Sequence, residues 1–223
     1  MAISQYHFKI RIPRSYKGDL KFMKPLQGNE WDCKARDFPK KRLGLLTRRN
    51  KIKKIIKGNL NRLQGHFCAF CGLDLRTRGA QIEHIAPKAP HLYPQFMWEP
   101  KNLILACPLC NGFAKKSTYD SISTLDTRYS NCHFKIVHPY FDNPTHHFRY
   151  VMDPQTNLAY LITIQDIGGV PSPKGKQSIL LFGLDLPDMT EERYKDALAK
   201  SQPVRPDFEK LIDEVKSKGY MSK

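Results

Sequence analysis

The sequence has no long apolar stretch. Its longest runs, such as LAYLITI at residues 158–164, fall far short of the ~18 consecutive apolar residues that mark a membrane-spanning helix. The N-terminal segment MAISQYHFKIRIPRSYK alternates polar and apolar residues and lacks the continuous apolar core of a secretory leader. There is no internal repeat and no long low-complexity linker. Apolar residues at 40% and charged residues at 26% exclude wholesale disorder. A cytoplasmic protein with no membrane contact is expected. Acidic residues are also scarce: 21 Asp and Glu stand against 37 Lys and Arg, a net charge of +16. The shortage is concentrated in residues 34–66, where Asp37 is the sole acid among twelve bases, whereas residues 183–223 are nearly balanced. Such an excess attracts polyanions, chiefly nucleic acid or an acidic membrane surface. A merely solvated basic helix face is the competing reading. It is disfavoured because uncompensated repulsion on this scale destabilises a helix.

A chain of 223 residues can bury roughly 70% of the surface its unfolded form exposes, so it does not need disulfides to fold. Its six cysteines therefore ask for another explanation. Four form two Cys-x-x-Cys pairs, Cys68/Cys71 (CAFC) and Cys107/Cys110 (CPLC), with 35 residues between Cys71 and Cys107. Without a secretion signal this spacing reads as a four-thiolate zinc site, because a two-residue spacer lets both sulfurs of a turn face one centre and two such turns complete a tetrahedron. Cys33 and Cys132 read as ordinary buried thiols, with Cys132 and His133 as substitute ligands.

Local patterns outline three segments. Residues 1–66 form an N-terminal strand and basic helical region. Tyr6, Phe8, Ile10 and Ile12 alternate as on a half-buried strand over 5–12. Over about 41–64, Leu45, Ile52, Ile55, Ile56, Leu60 and Leu63 recur at helical steps with Arg48, Arg49, Lys51, Lys53, Lys54 and Lys57 between them. Such a helix suits the phosphate backbone rather than base edges. Residues 67–120 form the cysteine-bounded module, with strand, loop, strand and helix pinned by one zinc. Residues 121–223 form a C-terminal α+β extension, with strands at 133–138 and 147–164, a loop at 170–176, a strand or short helix at 177–182, and closing helices at 190–201 and 207–217 capped by Thr190 and Asp207. Trp98 and Phe96 read as core. His66 and His91 read as surface, and His138, His146 and His147 near Asp142 as a structural turn.

Within the module the order Cys-x-x-Cys, Glu83-His84-Ile85-x-Pro, Asn102-Leu, Cys-x-x-Cys-Asn111 and a following Lys resembles the HNH endonucleases, of the ββα-metal (His-Me finger) fold. The resemblance covers about residues 66–118. The tail HPYFDNPTHHF at 138–148 is similar to HNH proteins of bacterial antiphage defence, including the HNH subunit of Septu-type systems. The resemblance implies an α+β fold with a zinc-stabilised ββα-metal core. It also implies a metal-dependent hydrolase cutting DNA phosphodiester bonds in defence against phage or foreign DNA. His84 would be the general base that activates water. Glu83, where the family more often has Asp, and Asn111, where many members have His, would hold a catalytic Mg2+ or Mn2+. Asn102 would orient the base, and Lys115 or Lys116 would contact phosphate. Cys68, Cys71, Cys107 and Cys110 would hold a structural Zn2+. An ATPase or sensor subunit and a second copy of the chain are candidate partners, since one such site cuts one strand. The alternative function is a non-catalytic zinc-containing nucleic-acid-binding module in a larger complex. The chemistry suits these residues independently. An imidazole can take a proton from water near neutrality, and a hard divalent ion on oxygen ligands can neutralise charge at phosphorus.

Overall fold

The computed structural model describes residues 3–16, 18, 30–32, 43–111, 116, 119–155, 159–201, 210, 213–214 and 217. The architecture is α+β. A long helix, α1 (Leu43–Gln64), precedes the cysteine module. Ile52, Ile56 and Leu60, one helical turn apart, are wholly buried against the module, and the Lys and Arg side chains between them mostly face out. The helix stops where Gly65 adopts φ +58°, a left-handed geometry that glycine takes without steric cost. Just before this turn, the Gln64 amide accepts from the Leu105 N–H at 2.7 Å and donates to the Leu105 and Phe67 carbonyls at 2.9 Å. One side chain thereby ties the helix end to the backbone of the module.

The first cysteine pair sits in a tight turn where Gly72, at φ +75°, donates to the Cys68 carbonyl. A short helix α2 (Leu75–Arg78) follows, capped by the Asp74 carboxylate on the Arg76 N–H. Strands β1 (Gln81–His84) and β2 (Leu103–Ala106) pair antiparallel, with His84 opposite Leu103 and Glu83 opposite Ile104. All four residues of β2 are buried, so the strand reads as a continuous apolar run. Helix α3 (Pro108–Asn111) carries Cys110, with Cys107 immediately before its first residue.

The C-terminal region adds three small antiparallel pairs: β3 (Ile122–Thr124) with β4 (His133–Phe134), β5 (Phe148–Met152) with β6 (Ala159–Ile164), and β7 (Asp166–Ile167) with β8 (Val170–Pro171). Helices α4 (Pro173–Phe182) and α5 (Pro187–Ser201) close it. Phe182 of α4 stacks on Phe70, between the first two cysteines, with ring centroids 4.2 Å apart. On α5, Asp196 accepts from the Asp74 N–H at 2.9 Å and pairs with Arg78 at 2.8 Å. Buried residues from Ile3 to Met189 form one hydrophobic core.

Several local expectations are corrected. Residues 5–12 form no strand: the chain bends at Phe8, and none of them pairs with a strand among the described residues. Tyr6 and Ile10 are buried, whereas Phe8 is 77% exposed, and the Tyr6 N–H donates to the Pro139 carbonyl at 2.8 Å. Alternation alone does not make a ladder, which needs a partner strand. The loop expected at 170–176 is instead β8 followed by the start of α4. Ser172 is the N-cap, accepting from the Gly175 N–H at 3.0 Å with Pro173 in the first turn, a start signal that is present in the sequence. Residues 177–182 are therefore helical. The single strand expected at 147–164 is the β5–β6 hairpin, and that at 133–138 shrinks to two residues. Helix α5 starts at Pro187, ahead of Thr190, whose N–H already donates to the Leu186 carbonyl. The helix expected at 207–217, with its Asp207 cap, lies largely outside the described residues, as does Cys33.

Candidate metal and nuclease site

The four paired cysteines converge. The Sγ atoms of Cys68, Cys71, Cys107 and Cys110 all lie within 4.8 Å of one another, and all four residues are buried. Cys71 Sγ and Cys107 Sγ are 3.7 Å apart. Four sulfurs at Zn–S bonds of ~2.3 Å stand about 3.8 Å apart along the edges of a tetrahedron, so the cluster has the dimensions of a structural zinc site. Cys107 is held well below the ordinary thiol range by donation from Cys110, Cys68 and Cys71. Cys71 and Cys110 are driven well above it, chiefly as donors to Cys107. Deprotonation of all four thiols in this buried volume would require a bound positive charge, which a zinc ion would supply. Cys132 stays apart, with its sulfur accepting from the Asp126 N–H at 3.4 Å, and His133 is exposed. Neither substitutes as a ligand.

Strand β1, held by its pairing with β2, and helix α3 flank a cleft of about 240 Å3 whose lining includes Glu83, His84 and Asn111. His84 Nε2 lies 3.1 Å from the Met97 carbonyl. A carbonyl can only accept, so Nε2 carries the hydrogen and Nδ1 keeps the lone pair. Burial, reinforced by Lys88, Lys116 and Lys53, lowers the imidazole to about 3, so the ring is neutral. Glu83 is pushed up to about 7 by burial, against the pull of Lys116 and Lys88. The Asn111 Nδ2 donates to Gln81 at 2.7 Å, which orients the amide beside the cleft.

Asn102 is fully buried and acts as a clamp. Its Oδ1 accepts from the Ala86 N–H at 2.7 Å and the Tyr129 hydroxyl at 2.9 Å. Its Nδ2 donates to the Ala86 carbonyl at 3.1 Å and the Phe96 carbonyl at 2.9 Å. Ala86 lies two residues beyond His84, and Phe96 immediately precedes the Met97 that anchors the ring. The clamp thus closes the loop at both points that set the imidazole.

The lysines after the second cysteine pair divide. Lys115 lies outside the described residues. Lys116 is wholly buried, with Nζ 3.8 Å from Glu83 and 3.4 Å from the Tyr119 carbonyl, and burial lowers its ammonium to about 8. It faces the carboxylate rather than solvent, because a buried carboxylate needs a nearby positive charge. The basic face of α1 divides as well. Arg48, Lys51, Lys54 and Lys57 are exposed. Arg49 is buried, with its guanidinium donating to the Glu30 carbonyl at 3.0 Å. Lys53 donates to the Trp31 carbonyl at 3.1 Å and sits 4.7 Å from the Trp31 ring. Trp31 in turn meets the His84 ring edge-on at 4.6 Å. Sequence reasoning missed Trp31, which lies in a turn-rich stretch without periodicity. It also missed Tyr129, whose role rests on a contact across 27 residues.

No family model matches this chain. The chain is similar to a curated protein, the Septu protein PtuB of Bacillus thuringiensis. The two are 30% identical over 99 residues, 44% of this chain and 33% of that protein. The chain thus spans about a third of the relative's length. Among the described residues, no helix is long and apolar enough to cross a membrane. His66 and His91 are exposed, and Trp98 and Phe96 are core. His146 is exposed, and Asp142 accepts from the His138 N–H at 2.8 Å and pairs with Lys174, as in a structural turn.

Proposed function

We propose that this chain is a metal-dependent HNH-type endonuclease that hydrolyses DNA phosphodiester bonds in defence against phage or foreign DNA. The observation that carries the reading is the state of His84: a neutral ring, Nε2–H anchored on the Met97 carbonyl, in the wall of a cleft shared with Glu83 and Asn111. An anchored imidazole of this tautomer offers Nδ1 to water, which is the geometry a general base needs. His84 takes the water proton as the hydroxyl attacks phosphorus, the P–O bond to the leaving sugar oxygen breaks, and the departing alkoxide takes a proton from solvent water. A bound phosphodiester brings negative charge beside Lys88 and Lys116, and this offsets the two ammonium groups that weaken the ring as a base. Glu83 and Asn111 present a carboxylate and an amide oxygen, a hard donor pair that fits Mg2+ or Mn2+. Such an ion supplies charge neutralisation at the phosphoryl and leaving oxygens. Lys116 opposes the burial that raises the Glu83 carboxyl to about 7, and so favours its ionised form. A zinc ion held by the four cysteines would have no open position for substrate, and would tie the Cys68–Cys71 turn to the start of α3.

The exposed Arg48, Lys51, Lys54 and Lys57 supply a phosphate-binding face on α1. The likeness to the Septu protein supports a role in antiphage defence alongside a second component, and double-strand cutting calls for a dimer or a second visit. The test is nicking of supercoiled plasmid in Mg2+ or Mn2+ by wild type and His84→Ala, with and without the proteins encoded beside it. Wild type should nick. The variant should retain zinc and DNA binding but not cut. Equal cutting by both, or DNA binding by wild type without cutting under any of these conditions, overturns the proposal.

A further inference from the structure

The Asn102 clamp is itself held from behind. His138 Nδ1 accepts from the Tyr140 backbone N–H at 3.2 Å, so in the neutral ring Nε2 carries the hydrogen. His138 Nε2 is 2.9 Å from the Tyr129 oxygen, and that oxygen is 2.9 Å from Asn102 Oδ1. Oδ1 already accepts from the Ala86 N–H and cannot donate. The polarity of the chain is therefore fixed: His138 Nε2–H to Tyr129, Tyr129 O–H to Asn102, and Asn102 to both arms of the loop around His84. All three side chains are buried. His138 is secured in turn, with its N–H on Asp142 and its ring stacked on Phe141 at 4.2 Å. These residues belong to the HPYFD segment, which the zinc cluster and the cleft do not use.

We propose that Tyr129 and His138 are positioning residues for His84, acting through Asn102 on the loop from Ala86 to Met97. This rests on the nuclease reading above. It gives the C-terminal extension a task in the reaction, because the module between the cysteine pairs contains the clamp but not its support. Groups that orient a working residue through hydrogen bonds commonly matter 10–100-fold to activity.

The test compares Tyr129→Phe, His138→Asn, their double variant, and Phe134→Ala in the full chain. Phe134 is buried with its ring 5.4 Å from that of Tyr129 and 4.4 Å from that of His138, so its loss removes packing on both while deleting none of the hydrogen-bonding groups. Tyr129→Phe should lower kcat ~10-fold, leave KM within about twofold, and keep zinc content. His138→Asn keeps an acceptor for the Tyr140 N–H but removes the donor to Tyr129. It should lower kcat less, and the double variant should be no worse than Tyr129→Phe. Phe134→Ala should lower Tm while sparing kcat. The 15N shifts of the His84 ring, assigned by comparison with His84→Ala, should move in Tyr129→Phe and not in Phe134→Ala. The inference is overturned if Tyr129→Phe keeps wild-type kcat while His84→Ala is dead, or if Phe134→Ala matches its loss. If wild type never cuts, the nuclease reading fails, and unchanged His84 ring shifts in Tyr129→Phe then overturn the positioning role as well. If Tyr129→Phe does not fold, the same kinetic and 15N comparison is made with His138→Asn.

Discussion

Removing the clamp is the most demanding test of how the site is held. Asn102→Ala deletes a side chain that makes four hydrogen bonds at zero exposure. The Ala86 N–H, the Ala86 carbonyl, the Phe96 carbonyl and the Tyr129 hydroxyl are each left without that partner where water does not readily reach. A buried polar group stranded in this way costs about 1–3 kcal/mol. Taking the lower end for each, the loss is about 4 kcal/mol, a large share of the ~5–15 kcal/mol that stabilises a typical domain. For a chain of this size, about 3 °C of Tm per kcal/mol translates that into a drop of roughly 12 °C. The measurement is differential scanning calorimetry of zinc-loaded protein, with the zinc content of both proteins established beforehand so that metal loss is not mistaken for loop failure. Asn102→Asp is the companion. It keeps the acceptor for Ala86 N–H and Tyr129 but turns a carboxylate oxygen toward two carbonyls, so it should be at least as damaging. A Tm within about 2 °C of wild type for Asn102→Ala would refute the reasoning, because the loop would then be held by something other than this amide.

Other outcomes follow from the same geometry. His84 has a folded-state pKa of about 3 against an ordinary value of 6.5, so the unfolded chain takes up its proton first on acidification. Its contribution is present above pH 6.5 and lost as pH falls toward 3. Wild-type Tm should therefore fall more steeply than that of His84→Gln between about pH 6.5 and 4, and parallel curves would count against a buried neutral ring. Gly175→Ala should destabilise by about 1–3 kcal/mol in urea denaturation, since the added Cβ would meet the His147 carbonyl oxygen at 2.2 Å. A neutral result would mean that α4 is free to shift. Replacing Lys51, Lys54 and Lys57 with Gln should flatten the dependence of log K for DNA on log salt by about 0.9 for each phosphate that is no longer neutralised. An unchanged slope would move the DNA-binding face away from α1.

The cysteine cluster was legible because its information is local. Each Cys-x-x-Cys turn aims two sulfurs at a point whatever surrounds it, and a four-ligand ion needs two such turns. Helix α1 was legible for the same reason: Ile52, Ile56 and Leu60 repeat with the period of the helix itself. Residues 5–12 mislead because alternation describes a conformation and not a partner. Phe8 faces solvent, and no strand edge lies beside it among the described residues. The start of α4 is easily mistaken for a loop because of its Pro and Gly, although Ser172 followed by Pro173 marks a helix start.

The amino-acid order by itself determined the α+β class, the four-thiol cluster, the basic helix, and the grouping of Glu83, His84, Asn102 and Asn111 within one module. The tertiary structure decided the roles that depend on burial and on distant neighbours. Lys116 became the counter-charge of Glu83, Arg49 and Lys53 turned toward the 30–31 turn, and Tyr129 and His138 closed on Asn102. The difference is physical. Metal-ligand spacing and helical period act over a few residues, whereas the protonation of a carboxylate and the partner of a buried hydroxyl depend on what the folded chain brings against them.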